Sequence, residues 1–186
     1  MASYDAGMDP ILVAQRLPKL AERAMREAIV SLSLSREGGA PCPSQRALAD
    51  DALIRFERMV QRVARDGIRP ALLFAERDRI VGELQAFVAG RLASRLFAVR
   101  RRDVAAIGPE AGPFDAIVRG RRGGNYGVVF RRLVRDGKRL EEMRAIRSAA
   151  RAYHGDDLRG VLVYDFATGT VRMLRCGAST VELAAA

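Results

Sequence analysis

The sequence predicts an α+β or α/β fold in which N-terminal helices precede a small mixed β-sheet with a helical crossover. Three observations carry this. Apolar residues in the first half recur at helical spacing. The second half shifts to short β-branched and aromatic runs separated by glycine-rich turns. A strand–helix–strand passage from Tyr126 to Tyr164 is long enough for a right-handed parallel crossover.

In the first helix Leu17, Leu20, Ala21, Ala24, Met25, Ala28, Ile29 and Leu32 form one stripe. Gly38, Gly39, Pro41 and Pro43 interrupt it with a loop. Ser44 suits the N-cap of a second helix, with Leu48, Ala52, Phe56, Met59 and Val63 inward and an end at Asp66-Gly67. Pro70 opens a third, which the apolar spacing of Leu73, Ile80, Leu84, Phe87, Val88, Leu92 and Leu96 carries to about Phe97.

Strands are expected over 103–107, 114–119 and 126–134, the last two joined as a hairpin through Gly120, Gly123, Gly124 and Asn125. Asp136-Gly137 ends the hairpin, and a helix follows with Leu140, Met143, Ile146, Ala150 and Tyr153 on one face and Arg144, Arg147 and Arg151 on another. Val161 to Tyr164 is a continuous apolar run, as a central strand buried on both faces requires. Thr168-Gly169 then turns the chain into an edge strand over 170–175. The expected organisation is a helical region over 1–70, a mixed core over 71–176 and a frayed tail over 177–186.

The chain has 186 residues, which suits one globular domain. No apolar run approaches the roughly 18 residues of a membrane span. The start lacks the basic and apolar segments of a secretory signal, so a cytoplasmic location is expected. Cys42 and Cys176 have no neighbouring ligands, and His154 is the one histidine, so schemes that need a zinc cluster or paired imidazoles are excluded. His154, beside Gly155, reads as a cation at a helix C-terminus.

The formal net charge is +10, of which residues 1–90 hold +1 and residues 91–186 hold +9. Of 32 basic residues only Lys19 and Lys138 are lysine. Codon usage can favour arginine over lysine, but it does not supply the excess over acids. A concentrated arginine excess suits a polyanion, phosphate first, and the alternative is a solvated basic face. The candidate phosphate contacts are Arg100, Arg101, Arg102, Arg119, Arg121, Arg122, Arg131 and Arg132. With 7 Phe, 4 Tyr and no Trp, a platform for stacking unpaired bases is not indicated, so duplex backbone comes first and DNA ahead of RNA.

The glycine cluster over 120–127 is not a phosphate loop, because no Lys-Ser or Lys-Thr follows and the next element reads as a strand. Asp115 has a different setting. It opens a strand after Gly112-Pro113-Phe114, and Val129-Phe130-Arg131 lies in the middle of the next. This order of elements, over roughly residues 72–176, resembles the PD-(D/E)XK nuclease superfamily, the restriction-endonuclease-like fold. There a helix precedes a β-meander, an acid opens the second strand, an acidic-x-lysine motif occupies the third, and a helix and a fourth strand complete the core.

By that resemblance Asp115 matches the second-strand acid, Val129 falls where the third-strand acid belongs, and Arg131 falls where the lysine belongs. Two carboxylates on one face would bind a hard cation and the lysine would orient water. Valine removes a ligand, and arginine holds its proton too firmly to act as a base. The resemblance therefore implies a nucleic-acid-binding core without standard metal-dependent cleavage. One alternative is an active Mg2+-dependent nuclease in which Asp115 is joined by Glu76 or Glu83 from the preceding helix. For Glu83 a solvent-facing ion pair with Arg79, four residues earlier, is an equal account. Another is an interaction module with a basic face, its N-terminal helices serving a homodimer or a protein partner.

Overall fold

The computed structural model describes residues 10–34, 44–63, 68–90, 104–120, 123–132, 141, 143–146, 148–149, 152 and 158–175. Three helices come first: α1 (Pro10–Ile29), continued by a π turn over Val30–Leu34, α2 (Gln45–Val63) and α3 (Pro70–Ala89). Five strands follow, β1 (Val104–Ile107), β2 (Ala116–Arg119), β3 (Asn125–Arg131), β4 (Leu158–Asp165) and β5 (Thr170–Arg175). The architecture is α+β, as its sequence predicts.

Local chemistry sets the helix ends. The Ser44 hydroxyl accepts a hydrogen bond from the Ala47 N–H at 3.1 Å, which satisfies one of the orphan donors of α2. Pro70 stands in the first turn of α3, where its missing N–H costs no helical bond. The same helix ends at Ala89 and not near Phe97, because Gly90 leaves it in an extended conformation (φ −80°, ψ 154°) while its N–H bonds the Phe87 carbonyl. Apolar spacing beyond Gly90 extended the expected helix past a residue of low helical propensity. The loop over 38–43, the Asp66-Gly67 helix end, the Asp136-Gly137 turn, His154, both cysteines and the tail lie outside the described residues.

The strands lie in the order β1-β2-β3-β4-β5. Pairs β1–β2, β2–β3 and β4–β5 are antiparallel, while β3–β4 is parallel. The parallel pair is the expected crossover, with helical backbone at 141, 143–146, 148–149 and 152 between its strands. Alternation along the strands sends Val118, Val128, Phe130 and Tyr164 toward α1, α2 and α3, in one core with Leu17, Met25, Leu48, Phe56, Ile80 and Phe87. On the opposite face Ile117, Val129, Val161 and Val163 pack with Met143 and Ile146 from the crossover. The sheet is thus covered on both faces, and α1 and α2 share a core with the strands.

Candidate functional site

Asp115 is 5% exposed and sits where the chain enters β2. Its backbone is held from both sides, since its N–H donates to the Val128 carbonyl (2.9 Å) and its carbonyl accepts from the Gly108 N–H (3.0 Å). Its side chain turns toward α1. There Oδ1 accepts from Arg26 Nε (2.9 Å) and Nη2 (2.5 Å), while Oδ2 accepts from the Phe130 N–H at 2.7 Å and lies 3.5 Å from Arg131 Nη1. A carboxylate offers about four lone-pair sites. Three are occupied by protein donors, with Arg131 adding an ion pair, and a guanidinium stands where a cation would bind.

Glu76 and Glu83 project from the same side of α3 and flank Arg79. Arg79 is ion-paired with Glu76, and its Nε lies 3.7 Å from Glu83 Oε1. Arg132, just past β3, brings Nε to 3.1 Å from Glu83 Oε1. Glu22 closes the circuit from α1: its Oε2 accepts from the Arg132 N–H at 3.1 Å, and its Oε1 lies 4.0 Å from Arg26 Nη1. All three candidate acids therefore belong to one network in which carboxylates alternate with guanidiniums. The Glu83–Arg79 pair exists, but it faces inward, with side chains 11% and 18% exposed.

This burial shifts the groups it encloses. Desolvation, reinforced by Glu76, raises the Glu83 carboxyl against the opposing pull of Arg132 and Arg79. The Arg79 guanidinium is lowered by desolvation and by Arg132, while its glutamates counteract. Tyr164 stands in the neighbouring core with its hydroxyl buried and without a hydrogen-bond partner among the described residues. Burial, with Glu83 and Asp165 adding to it, pushes this phenol up to about 12.

Among the described residues no group of three or more His, Cys, Asp or Glu comes together as a cation site. The network's chemistry is charge compensation between α1, α3 and the ends of β2 and β3. Arg131 and Arg132, expected on phosphate, contact Asp115 and Glu83.

Arg119 differs from both. It is exposed at the far end of β2, four residues and about 13 Å along the strand from Asp115. Register brings two further exposed arginines to that end. Arg119 pairs with Asn125 and Asn125 with Leu158, the neighbour of Arg159, while Arg175 pairs with Gly160, Gly160 with Tyr126 and Tyr126 with Val118, so Arg159 and Arg175 stand at the same end of the sheet as Arg119, Arg175 one residue further in and on the opposite face. The row spans β2 to β5, about 14 Å at the usual strand spacing. None of the three has an acidic partner among the described residues.

The β2–β3 hairpin borders this row. The Gly123 N–H donates to the Gly120 carbonyl (3.0 Å) and the Gly120 N–H to the Gly124 carbonyl (2.9 Å). Gly124 has φ +80°, and a side chain there would collide with Arg159 Cγ, so glycine leaves the path that Arg159 occupies. Arg100, Arg101, Arg102, Arg121 and Arg122 lie outside the described residues.

Sequence reading missed Arg26, Glu22, Arg159 and Arg175. The Glu22–Arg26 spacing of four is a readable helical pair, whereas Arg26 meets Asp115 across 89 residues with no local signal. Fold and site together define an α+β protein with a sheet covered on both faces, one sheet end neutralised by a buried ion network and the other presenting arginines. No family model, curated protein or solved structure matches the chain.

Proposed function

We propose that the chain binds nucleic acid, with DNA ahead of RNA, through arginines at the hairpin end of a restriction-endonuclease-like core that does not carry out metal-dependent cleavage. The observation that carries this reading is the row of Arg119, Arg159 and Arg175, exposed and without acidic partners among the described residues. Guanidiniums make paired, charge-assisted bonds to phosphate oxygens. The order of α3, the β1–β2–β3 meander, a helical segment and a parallel β4 agrees with the family resemblance and supports the core assignment. The occupied lone pairs of Asp115 weigh against the active-nuclease alternative, since a magnesium ion would have to displace Arg26.

Fluorescence anisotropy with a labelled duplex, across a salt series and with or without magnesium, tests the reading. Log affinity should fall linearly with log salt, and the slope should shrink by roughly 0.9 for each phosphate that an Arg119→Ala, Arg159→Ala, Arg175→Ala triple variant no longer neutralises. The duplex should emerge intact. Absence of salt-dependent binding refutes the proposal, and magnesium-dependent cleavage abolished by Asp115→Ala would establish the nuclease instead. Equal affinity for heparin or anionic vesicles would favour the interaction module.

A further inference from the structure

A cavity of about 550 Å³ opens between α1, α2 and the 3-10 turn over Gly108–Ala111, at the Asp115 end of the sheet. It is separate from the arginine row, and the helices that form most of it precede the region resembling the nuclease family. Arg23 and Arg26 from α1 and Arg55 from α2 line it, with Glu27 and Asp115 as the lining acids. The lining charge is thus Arg26 against Asp115 at the floor and, at the mouth, Arg23 and Arg55 against Glu27 and the adjoining Asp51.

Glu27 fixes that mouth. Its Oε1 accepts from Arg23 Nε at 2.8 Å and its Oε2 lies 3.6 Å from Arg55 Nη1, so one carboxylate holds two guanidiniums side by side. Arg55 Nε is turned to Asp51 at 2.7 Å. These contacts leave both Nη groups of Arg23 and Nη2 of Arg55 without partners among the described residues. The Arg23 side chain is 66% exposed and that of Arg55 29%, whereas the Asp115 side chain below them is 6% exposed. The Nη pair of Arg23 and Nη2 of Arg55 are donors that a phosphate group with three terminal oxygens can engage. Val30, Pro109 and Phe114 supply an apolar wall beside them.

We propose that this cavity binds a phosphate monoester of nucleotide size, with the phosphate between Arg23 and Arg55 and the organic body against the apolar wall. The volume lies within the usual range for small-molecule sites and far exceeds the needs of a bare ion. The same chemistry is presented by a free nucleoside monophosphate and by the 5′-phosphorylated end of a strand.

Isothermal titration of the full chain with adenosine monophosphate, adenosine and inorganic phosphate decides it. The monophosphate should bind, and adenosine and inorganic phosphate should bind at least ten-fold more weakly. Arg23→Gln, at an exposed position, should weaken monophosphate binding about ten-fold or more without moving the ligand-free Tm. Arg55→Lys, which keeps the charge and removes the fork, should do the same. The Arg119, Arg159 and Arg175 triple variant should bind it like the wild type, which separates this site from the arginine row. No heat at millimolar ligand, undiminished binding in Arg23→Gln, or loss of binding in the triple variant would overturn the proposal. Within it, a 5′-phosphorylated dinucleotide that outcompetes the monophosphate identifies a strand end, and weaker competition identifies the free nucleotide.

Discussion

Each donor around Asp115 offsets part of what burying a charge costs. Removing the carboxylate strands Arg26 and the Phe130 N–H, neither of which regains full hydration. Asp115→Ala is expected to cost about 3–5 kcal/mol in urea unfolding, the range for breaking one partner out of a buried pair. Tyr164 presents the opposite case, a buried hydroxyl with nothing to bond. Tyr164→Phe should leave stability at pH 8 unchanged or raise it by up to about 1 kcal/mol. Because the folded phenol is pushed up to about 12 from its ordinary value of 10, the unfolded chain ionises first. The contribution of the neutral phenol is present below pH 10 and is lost as the pH rises toward 12. Wild type should therefore fall behind Tyr164→Phe by about 2 kcal/mol near pH 11.5, measured by denaturant unfolding at the two pH values.

At the level of elements, β3 and the turn before β2 meet with no space to spare. A Cβ added at Gly127 would lie 2.8–3.0 Å from ring carbons of Phe114, which is itself 3% exposed. Gly127→Ala should cost about 1–3 kcal/mol by forcing that ring from its place, and a fall in Tm checks it. The neighbouring aromatic cluster shows the same economy of space from the helical side, with Phe87 of α3 set edge-on to Tyr164 (5.0 Å) and to Phe130 (5.8 Å). These contacts bind α3 to the two central strands. The buried face of α3 is confined to Ile80, Leu84 and Phe87, and Leu72, Phe74 and Val81 are exposed.

Across the whole molecule the sheet has two electrostatic ends. Asp115 and Asp165 lie at one, each satisfied locally, Asp115 by arginines and an amide and Asp165 by the Ala167 N–H (3.1 Å) and the Thr168 hydroxyl (3.0 Å). Arg119, Arg159 and Arg175 lie at the other without such partners among the described residues. A polyanion drawn by the overall charge of +10 would meet the uncompensated end, where its phosphates displace water and counterions but no acids. If the proposed function holds, the triple variant should lose salt slope as well as affinity.

Much of the fold follows from local pattern. Helical spacing marks α1 and α2, the Ser44 cap starts α2, and paired glycines make the β2–β3 hairpin. The apolar run Val161–Tyr164 forms part of a central strand, reached by the parallel crossover that its distance from Tyr126 allows. The candidate site was legible only in part. Asp115 stands out by its place before a strand, yet its partner lies 89 residues earlier. Glu76 and Glu83 are equally visible as ligands or as ion-pair partners until Arg132 arrives from beyond β3 to join Arg79. Arg159 and Arg175 come to the same end of the sheet as Arg119 only through strand pairing. The sequence alone determined period, caps and turns, because these depend on residues within a few positions of one another. Tertiary structure decided which charges are neutralised and which stay available, because that depends on which distant side chains are desolvated together.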